Sequence, residues 1–315
     1  MKNNFNHFLL KVSFFIFIFF ESVFAQSLQF EAGIIETNDD NYIVASNNVV
    51  IKDALGAKIF GDKVILDKAS KIYTITGNVS YEDKANLIII NADKIIYNDI
   101  NKIINTEGPA TLEKNNLYKI QSFDIEYNLI EKRISSNKKT TIKDNLKNKI
   151  LIKNLNISLN DNLLIAKDVE LIDKDLNIYT IKNIYYDFQK KKLIGKDVTV
   201  NRDNSSSKID FLPRIKSRSL IIENENLIFN KSVYTSCKKR DGCPPWLIQA
   251  EKVEHNKKEK LIKYKNAFLK LYDVPVLYFP KFFHPDPSVK RQSGFLAPTV
   301  STSNSSSFLK LPYFF

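Results

Sequence analysis

The chain has 315 residues, 43% hydrophobic and 26% charged, with 47 Lys and Arg against 35 Asp and Glu for a formal net charge of +12. That balance excludes both a disordered chain and a helical membrane protein. Three His, two Cys and eight Gly leave few ligands for metal enzymes or catalytic triads, and exclude collagen-like and glycine-loop nucleotide-binding sequences. A surface or a conduit is easier to build from this inventory than a reaction centre, and no cofactor is expected. Lys, Asn, Ile and Phe are all abundant, as AT-rich codon usage favours, so the charge reads equally as drift or as attraction to an acidic partner. Basic residues are mixed with acids along the chain, without an arginine cluster or an aromatic RNA-binding signature. No nucleic-acid partner is expected.

The first predicted element is a targeting segment. Lys2 precedes an apolar run at 12–20, and Val23-Phe24-Ala25 offers small residues at the −3 and −1 positions of a cleavage site before Gln26. The run is shorter than the roughly 20 residues a helix needs to span a bilayer. A signal peptide over residues 1–25 is expected, with a retained anchor as the alternative. The rest of the chain then works outside the cytoplasm, where disulfides persist.

From about residue 45 to 270 the chain repeats a strand–turn–strand unit. One strand of each unit ends in Asn or Asp, as at Asp67, Asn98, Asn128, Asp187, Asn224 and Asn256. Those residues tolerate turn conformations and bond their own backbone. The second strand carries a marker such as Asn48-Val49-Val50-Ile51 or Asp168-Val169-Glu170-Leu171. One residue into each marker, the positions are 49, 79, 110, 140, 169, 198, 233 and 267, in steps of 30, 31, 30, 29, 29, 35 and 34. A polar insertion at 201–210, expected as an exposed loop, accounts for the long step. A fixed period of this size predicts stacked units that bury their apolar faces only against neighbours.

Alternation, as in Val169-Glu170-Leu171, sets successive side chains on opposite faces. The inward face reads either as a packed core or as a groove for something greasy. The candidate groove residues are Val49, Ile51, Val79, Tyr81, Ala110, Leu112, Ile142, Val169, Leu171, Val198 and Val200. A stack also leaves open edges, so the first strands after Gln26 are a candidate docking site for a like-folded partner.

Near residue 236 the character changes: eight of ten prolines and the lone Trp lie from Pro244 to Pro312. Cys237, Cys243 and His255 have the wrong spacing for zinc and lack a fourth ligand, so no metal site is expected. In an exported chain the cysteines are expected oxidised, with each other or with cysteines elsewhere. His284 beside Asp286 lacks a nucleophile motif, and His284-Pro285-Asp286-Pro287 reads as a stiff connector.

The run Val274-Pro275-Val276-Leu277-Tyr278-Phe279-Pro280, then His284-Pro285-Asp286-Pro287 and Ser293-Gly294-Phe295-Leu296, resembles the LptD (OstA/Imp) family of lipopolysaccharide-assembly outer-membrane proteins. The match is specific over residues 236–315 and loose over 26–235. The resemblance implies an all-β fold: repeated antiparallel two-strand rungs stacked as an OstA-like β-jellyroll, a Pro-rich connector, then the start of a transmembrane β-barrel. The implied organisation is a signal peptide at 1–25, a periplasmic jellyroll at 26–268, the connector at 269–292, and the first strand region of a truncated barrel at 293–315. It further implies lipopolysaccharide acyl chains in the jellyroll, and a similarly folded periplasmic bridge protein at the amino-terminal edge. An outer-membrane lipoprotein plug and a location at the outer membrane complete the implied setting. Family disulfides join cysteines near the jellyroll to cysteines near the barrel; without the distal ones, a Cys237–Cys243 bridge is the default. The alternatives are a soluble periplasmic bridge protein of the same repeat class and a β-solenoid surface adhesin.

Overall fold

The structure is a computed structural model that describes residues 28–38, 41–53, 56–202, 214–237, 244–286, 289, 294–295, 299–303 and 306–314. The expected signal segment, most of the polar insertion, Cys243 and Pro287 lie outside the described residues.

Every regular element among the described residues is a strand, and 21 of them form one sheet. The edge is shared by β1 (Gln29–Glu31) and β2 (Ile34–Asn38), which pair with the two halves of β3 (Tyr42–Lys52). An antiparallel meander follows: β4 (Lys58–Asp67), β5 (Ile72–Asp83), β6 (Ile88–Asn98) and β7 (Ile103–Lys114). In the middle, long strands are split into halves: β8 (Tyr118–Phe123) with β9 (Glu126–Asn128), β10 (Arg133–Ser136) with β11 (Thr140–Asp144), and β12 (Lys149–Ile152) with β13 (Leu155–Ser158). The meander resumes with β14 (Leu163–Ile172), β15 (Asn177–Asp187), β16 (Lys192–Arg202) and β17 (Arg214–Glu223). It closes with β18 (Asn226–Thr235), β19 (Trp246–Asn256), β20 (Leu261–Leu271) and the far edge β21 (Val274–Pro285). Beyond it lie two small pairs, β22 (Gly294–Phe295) with β25 (Tyr313–Phe314) and β23 (Thr299–Ser303) with β24 (Ser306–Lys310).

The turns use the residues their chemistry demands. Asp67 accepts from the Ala69 and Ser70 amides, Asn98 from Ile100 and Asn101, and Asn128 from Ile130 and Glu131. Such side-chain bonds replace the ladder partners lost where a strand reverses.

Two-residue alternation is interrupted once in each long strand. Buried residues in β14 run Leu164, Ala166, then Val169, Leu171; in β20 they run Ile262, Tyr264, then Ala267, Leu269. In β14, β16, β18 and β20 the three-residue step carries a left-handed residue, Asp168 (φ 50°), Asp197 (φ 53°), Lys231 (φ 50°) and Asn266 (φ 48°), whereas β15, β17 and β19 make it without one. In β3, β5 and β7 the interval between buried positions is four residues, across left-handed Asn47-Asn48, Gly77-Asn78 and Gly108, with register shifts beside them. Asn, Asp and Gly are the residues least penalised there. Each strand therefore bends, and its two halves show apolar side chains to the same interior. No helix covers this face among the described residues, so the sheet buries it by folding over on itself.

Small or compact side chains occupy the bend: Val49, Val79, Ala110, Thr140, Val169, Val198, Ser232 and Ala267 are all buried. The seventh is Ser232 and not Val233, because left-handed Lys231 shifts the alternation. The Pro-rich segment also differs from a free connector along its first half. β20 ends at Leu271, and Val274–Pro285 pairs with β20 along its length. Proline is tolerated because β21 is an edge strand; Pro275 sits by a register irregularity, and Pro280 falls opposite the bend at Asn266.

Candidate functional site

The interior collects the groove candidates on one surface. Val49, Ile51, Val79, Tyr81, Ala110, Leu112, Ile142, Val169, Leu171 and Val198 belong to a single buried apolar cluster, and Val200 packs against it half-buried. Leu112, Ile142 and Val169 are 0% exposed, so the interior is packed along its middle. Two alternations past the bend, the inward ladder reaches a position the hydrophobic pattern did not single out: Asp53, Asp83, Lys114, Asp144 and Asp173. It was legible as the marker position plus four.

These four acids and one lysine line one end of the interior. Asp173 accepts from the Asp175 and Asn177 amides, from Asn177 Nδ2, and from the Tyr179 hydroxyl at 3.0 Å. Asp144 repeats the pattern, accepting from the Leu146 and Asn148 amides, Asn148 Nδ2, and the Tyr186 hydroxyl at 2.5 Å. Asp83 accepts from Asn86, Tyr81 and Tyr127. Burial, reinforced by the neighbouring carboxylates, holds the Tyr81, Tyr179 and Tyr186 hydroxyls well above their usual range. They remain donors to those acids at physiological pH.

Lys257, on the loop after β19, reaches across to Asp173 and Asp175 at 2.8 Å each. Burial alone would raise the Asp173 carboxyl and lower the Lys257 ammonium; their hydrogen bonds reverse both shifts. Beside this pair a cavity of about 240 Å³ opens from the interior. Leu171, Tyr179, Tyr186, Leu193, Ile222 and Leu227 form its apolar lining, and Lys174, Lys191, Glu225 and Lys257 give it charged groups. Asp173 lines it too, Lys257 is paired with Asp173 and Asp175, and Lys174 lies 3.9 Å from Glu225, so the rim over the apolar floor is charged but largely internally paired.

The remaining candidates lie toward the far edge. His284 Nε2 is 3.0 Å from the Tyr264 hydroxyl and Nδ1 is 2.6 Å from the Pro285 carbonyl; burial holds its pKa below the usual value. Asp286 pairs with His255 at 2.5 Å, and burial with Asp286 nearby pushes Tyr234 up to about 12. This is a packed polar cluster anchoring the strand end. Cys237 is half-buried with Sγ 3.7 Å from the Trp246 carbonyl; the expected Cys237–Cys243 pairing involves a residue outside the described set. Among the described residues no group of three or more His, Cys, Asp or Glu is placed to hold a metal ion. No helix among the described residues is long and apolar enough to cross a membrane.

Fold and interior together define an open-edged antiparallel β-stack built around an apolar core with a charged mouth. The sequence is similar to LPS-assembly protein LptD from Shewanella sp. strain MR-4, 38% identical over 99 residues, which are 30% of this chain and 12% of that protein. LptD of Shewanella denitrificans matches at 25% identity over 236 residues, 75% of this chain and 26% of the relative. LptD of Idiomarina loihiensis matches at 30% over 125 residues, 39% of this chain and 15% of that protein. The chain therefore has an LptD-like amino-terminal region and matches only a small part of these relatives' length. No family model matches. A crystal structure of LptH, the LptA-homologous periplasmic component of the lipopolysaccharide transport device of Pseudomonas aeruginosa, overlaps 45% of this chain and 82% of its own at 13% identity. Its TM-score of 0.21 leaves the fold to rest on this chain's own strands.

Proposed function

We propose that this chain takes part in lipopolysaccharide transport and assembly at the outer membrane, its β-stack lying in the periplasm and holding acyl chains in the apolar interior. The observation that carries the reading is the single apolar cluster from Ala45 to Leu269, lined rung after rung by equivalent positions. The LptD relatives supply the substrate class. Burying a methylene contributes about 0.8 kcal/mol, so a long acyl chain binds without any covalent step. With Ile142 and Val169 fully buried, the two halves of the sheet must part to admit it.

In this reading, Val49, Ile51, Val79, Tyr81, Ala110, Leu112, Ile142, Val169, Leu171, Val198 and Val200 contact the chains as the halves open. The β1/β2 edge, with Ile34 and Ile35 exposed, receives a like-folded bridge protein by strand addition. His284 to Pro287 lead toward a β-barrel that a lipoprotein plugs.

A photo-crosslinking residue at Val169, and separately at Glu170, tests this in cells making labelled lipopolysaccharide. The expected result is a crosslink from Val169 and none from Glu170, its outward neighbour. A silent Val169 in a folded, exported protein would make the interior an ordinary core and remove the transport reading.

A further inference from the structure

Facing lysines occur in two outward rows of the sheet: Lys119, Lys143 and Lys149, where Glu113 faces Lys119 and pairs with it at 2.5 Å, and a second row on the last three strands that has exposed aromatic rings beside it. Along the bend of β14 to β17, Asp168 lies opposite Lys182, Lys182 opposite Asp197, and Asp197 opposite Arg218, as the flanking register shows. Opposite signs on facing positions are the stabilising arrangement. At the far edge the signs coincide: Lys252 faces Lys265, and Lys265 faces Lys281. Strands about 4.8 Å apart place these three ammonium-bearing side chains in one row.

Lys263, two residues along β20, adds a fourth cation, so the patch outnumbers its compensating acids. Lys252 pairs with Glu254, and Lys263 with Glu259 at 3.4 Å. Lys265 and Lys281 make no ion pair among the described residues, and both are exposed. Like charges directly opposite one another are destabilising, so this row costs stability in the isolated chain. Apolar side chains flank it. Phe283, 58% exposed, faces Lys263 across the strands, while Phe268 and Tyr278 (50% exposed) pack with ring centroids 4.8 Å apart on the other side. A groove of about 480 Å³ runs between the lysines and Phe283.

A lysine on an edge strand commonly serves only to block strand addition. That role accounts for Lys281, which is on the edge, but not for its facing partner Lys265 on β20 or for the exposed aromatics beside both. Cations interleaved with aromatic rings are what the interface of an anionic bilayer favours. We propose that the outward face of β19–β21 docks on an anionic phospholipid surface, the lysines meeting lipid phosphates and Phe283, Tyr278 and Phe268 entering the headgroup layer. This face points away from the apolar interior, so the inference stands independently of what the interior carries.

The test is co-sedimentation of the whole chain with vesicles of phosphatidylcholine containing about a third phosphatidylglycerol, against phosphatidylcholine alone. The chain is expected to bind the anionic vesicles preferentially. The Lys265→Gln/Lys281→Gln variant should bind about thirtyfold more weakly, from the usual contribution of two basic residues at a charged surface. Its thermal midpoint should be unchanged or higher, because the substitutions remove a repulsion. Phe283→Ser should weaken binding further at high salt, where the aromatic contribution remains. A Lys63→Gln/Lys196→Gln control, neutralising outward lysines elsewhere in the sheet, should retain near-parental binding. Equal loss in that control would reduce the effect to overall charge and overturn the proposal. It would also be overturned by undiminished vesicle binding in the Lys265/Lys281 variant, by displacement with millimolar inorganic phosphate, which would mark a single-anion pocket, or by retention on heparin without vesicle binding, which would favour a soluble acidic partner.

Discussion

Asp173 is buried among apolar side chains yet remains a carboxylate, because six hydrogen bonds from Asp175, Asn177, Tyr179 and Lys257 outweigh its desolvation. Its folded pKa lies below the ordinary carboxyl value, so its stabilisation is present above the unfolded pKa and is lost as pH falls through the folded one. Lys257 is shifted upward, so its contribution is present below the ordinary lysine value and is lost as pH rises through the folded pKa. Both contributions are in place at neutral pH. Asp173→Asn should therefore cost about 3 kcal/mol in urea unfolding at neutral pH, mainly by leaving Lys257 without its partner. The difference from the parent should shrink as pH drops below 4; a pH-independent difference would assign the loss to packing. None of this was visible in the hydrophobic pattern. Asp173 and Lys257 are 84 residues apart, and only the folded stack joins them.

At the scale of the strand, the three-residue step decides where an element bends. Asp168 was legible as the start of a marker, and its left-handed backbone explains why Asn or Asp recurs there. Asp168→Gly should change stability by less than about 0.5 kcal/mol, while Asp168→Val should cost roughly 1–2 kcal/mol, since a β-branched side chain clashes in that conformation. Equal effects in thermal unfolding would show that the bend does not depend on this residue. The same step explains the misplaced seventh position. Alternation read through Lys231 points to Val233, whereas the bend turns Ser232 inward. Prolines concealed β21 for a different reason. They argue against a central strand, but an edge strand with a register irregularity and a facing bend accommodates Pro275 and Pro280.

Across the whole molecule, sequential strands pair with their neighbours, so stability passes from rung to rung. Leu112→Ala, at a fully buried position of β7, should lower stability by about 2–5 kcal/mol at that rung. Hydrogen exchange should rise most in β6 to β9 and fall away toward β18 to β21, whereas a uniform rise would mean that the sheet unfolds as one cooperative unit. The proposed lipid entry also belongs to this scale. Under that proposal the halves of the folded sheet separate along the bend, with the compact residues from Val49 to Ala267 as the hinge.

Alternation, turn residues and the thirty-residue spacing determined the strands, their inward faces and the stacking, because each depends on residues close together in the chain. Val169, Leu171 and their equivalents were identifiable without any structure for that reason. Tertiary structure alone decided which strand ends meet. It set Lys257 on Asp173, aligned Lys252, Lys265 and Lys281 in one row, and paired the proline-rich segment as the final strand. Those relations depend on the register between strands and on a bend that shifts the alternation by one residue, and neither is encoded in any local period.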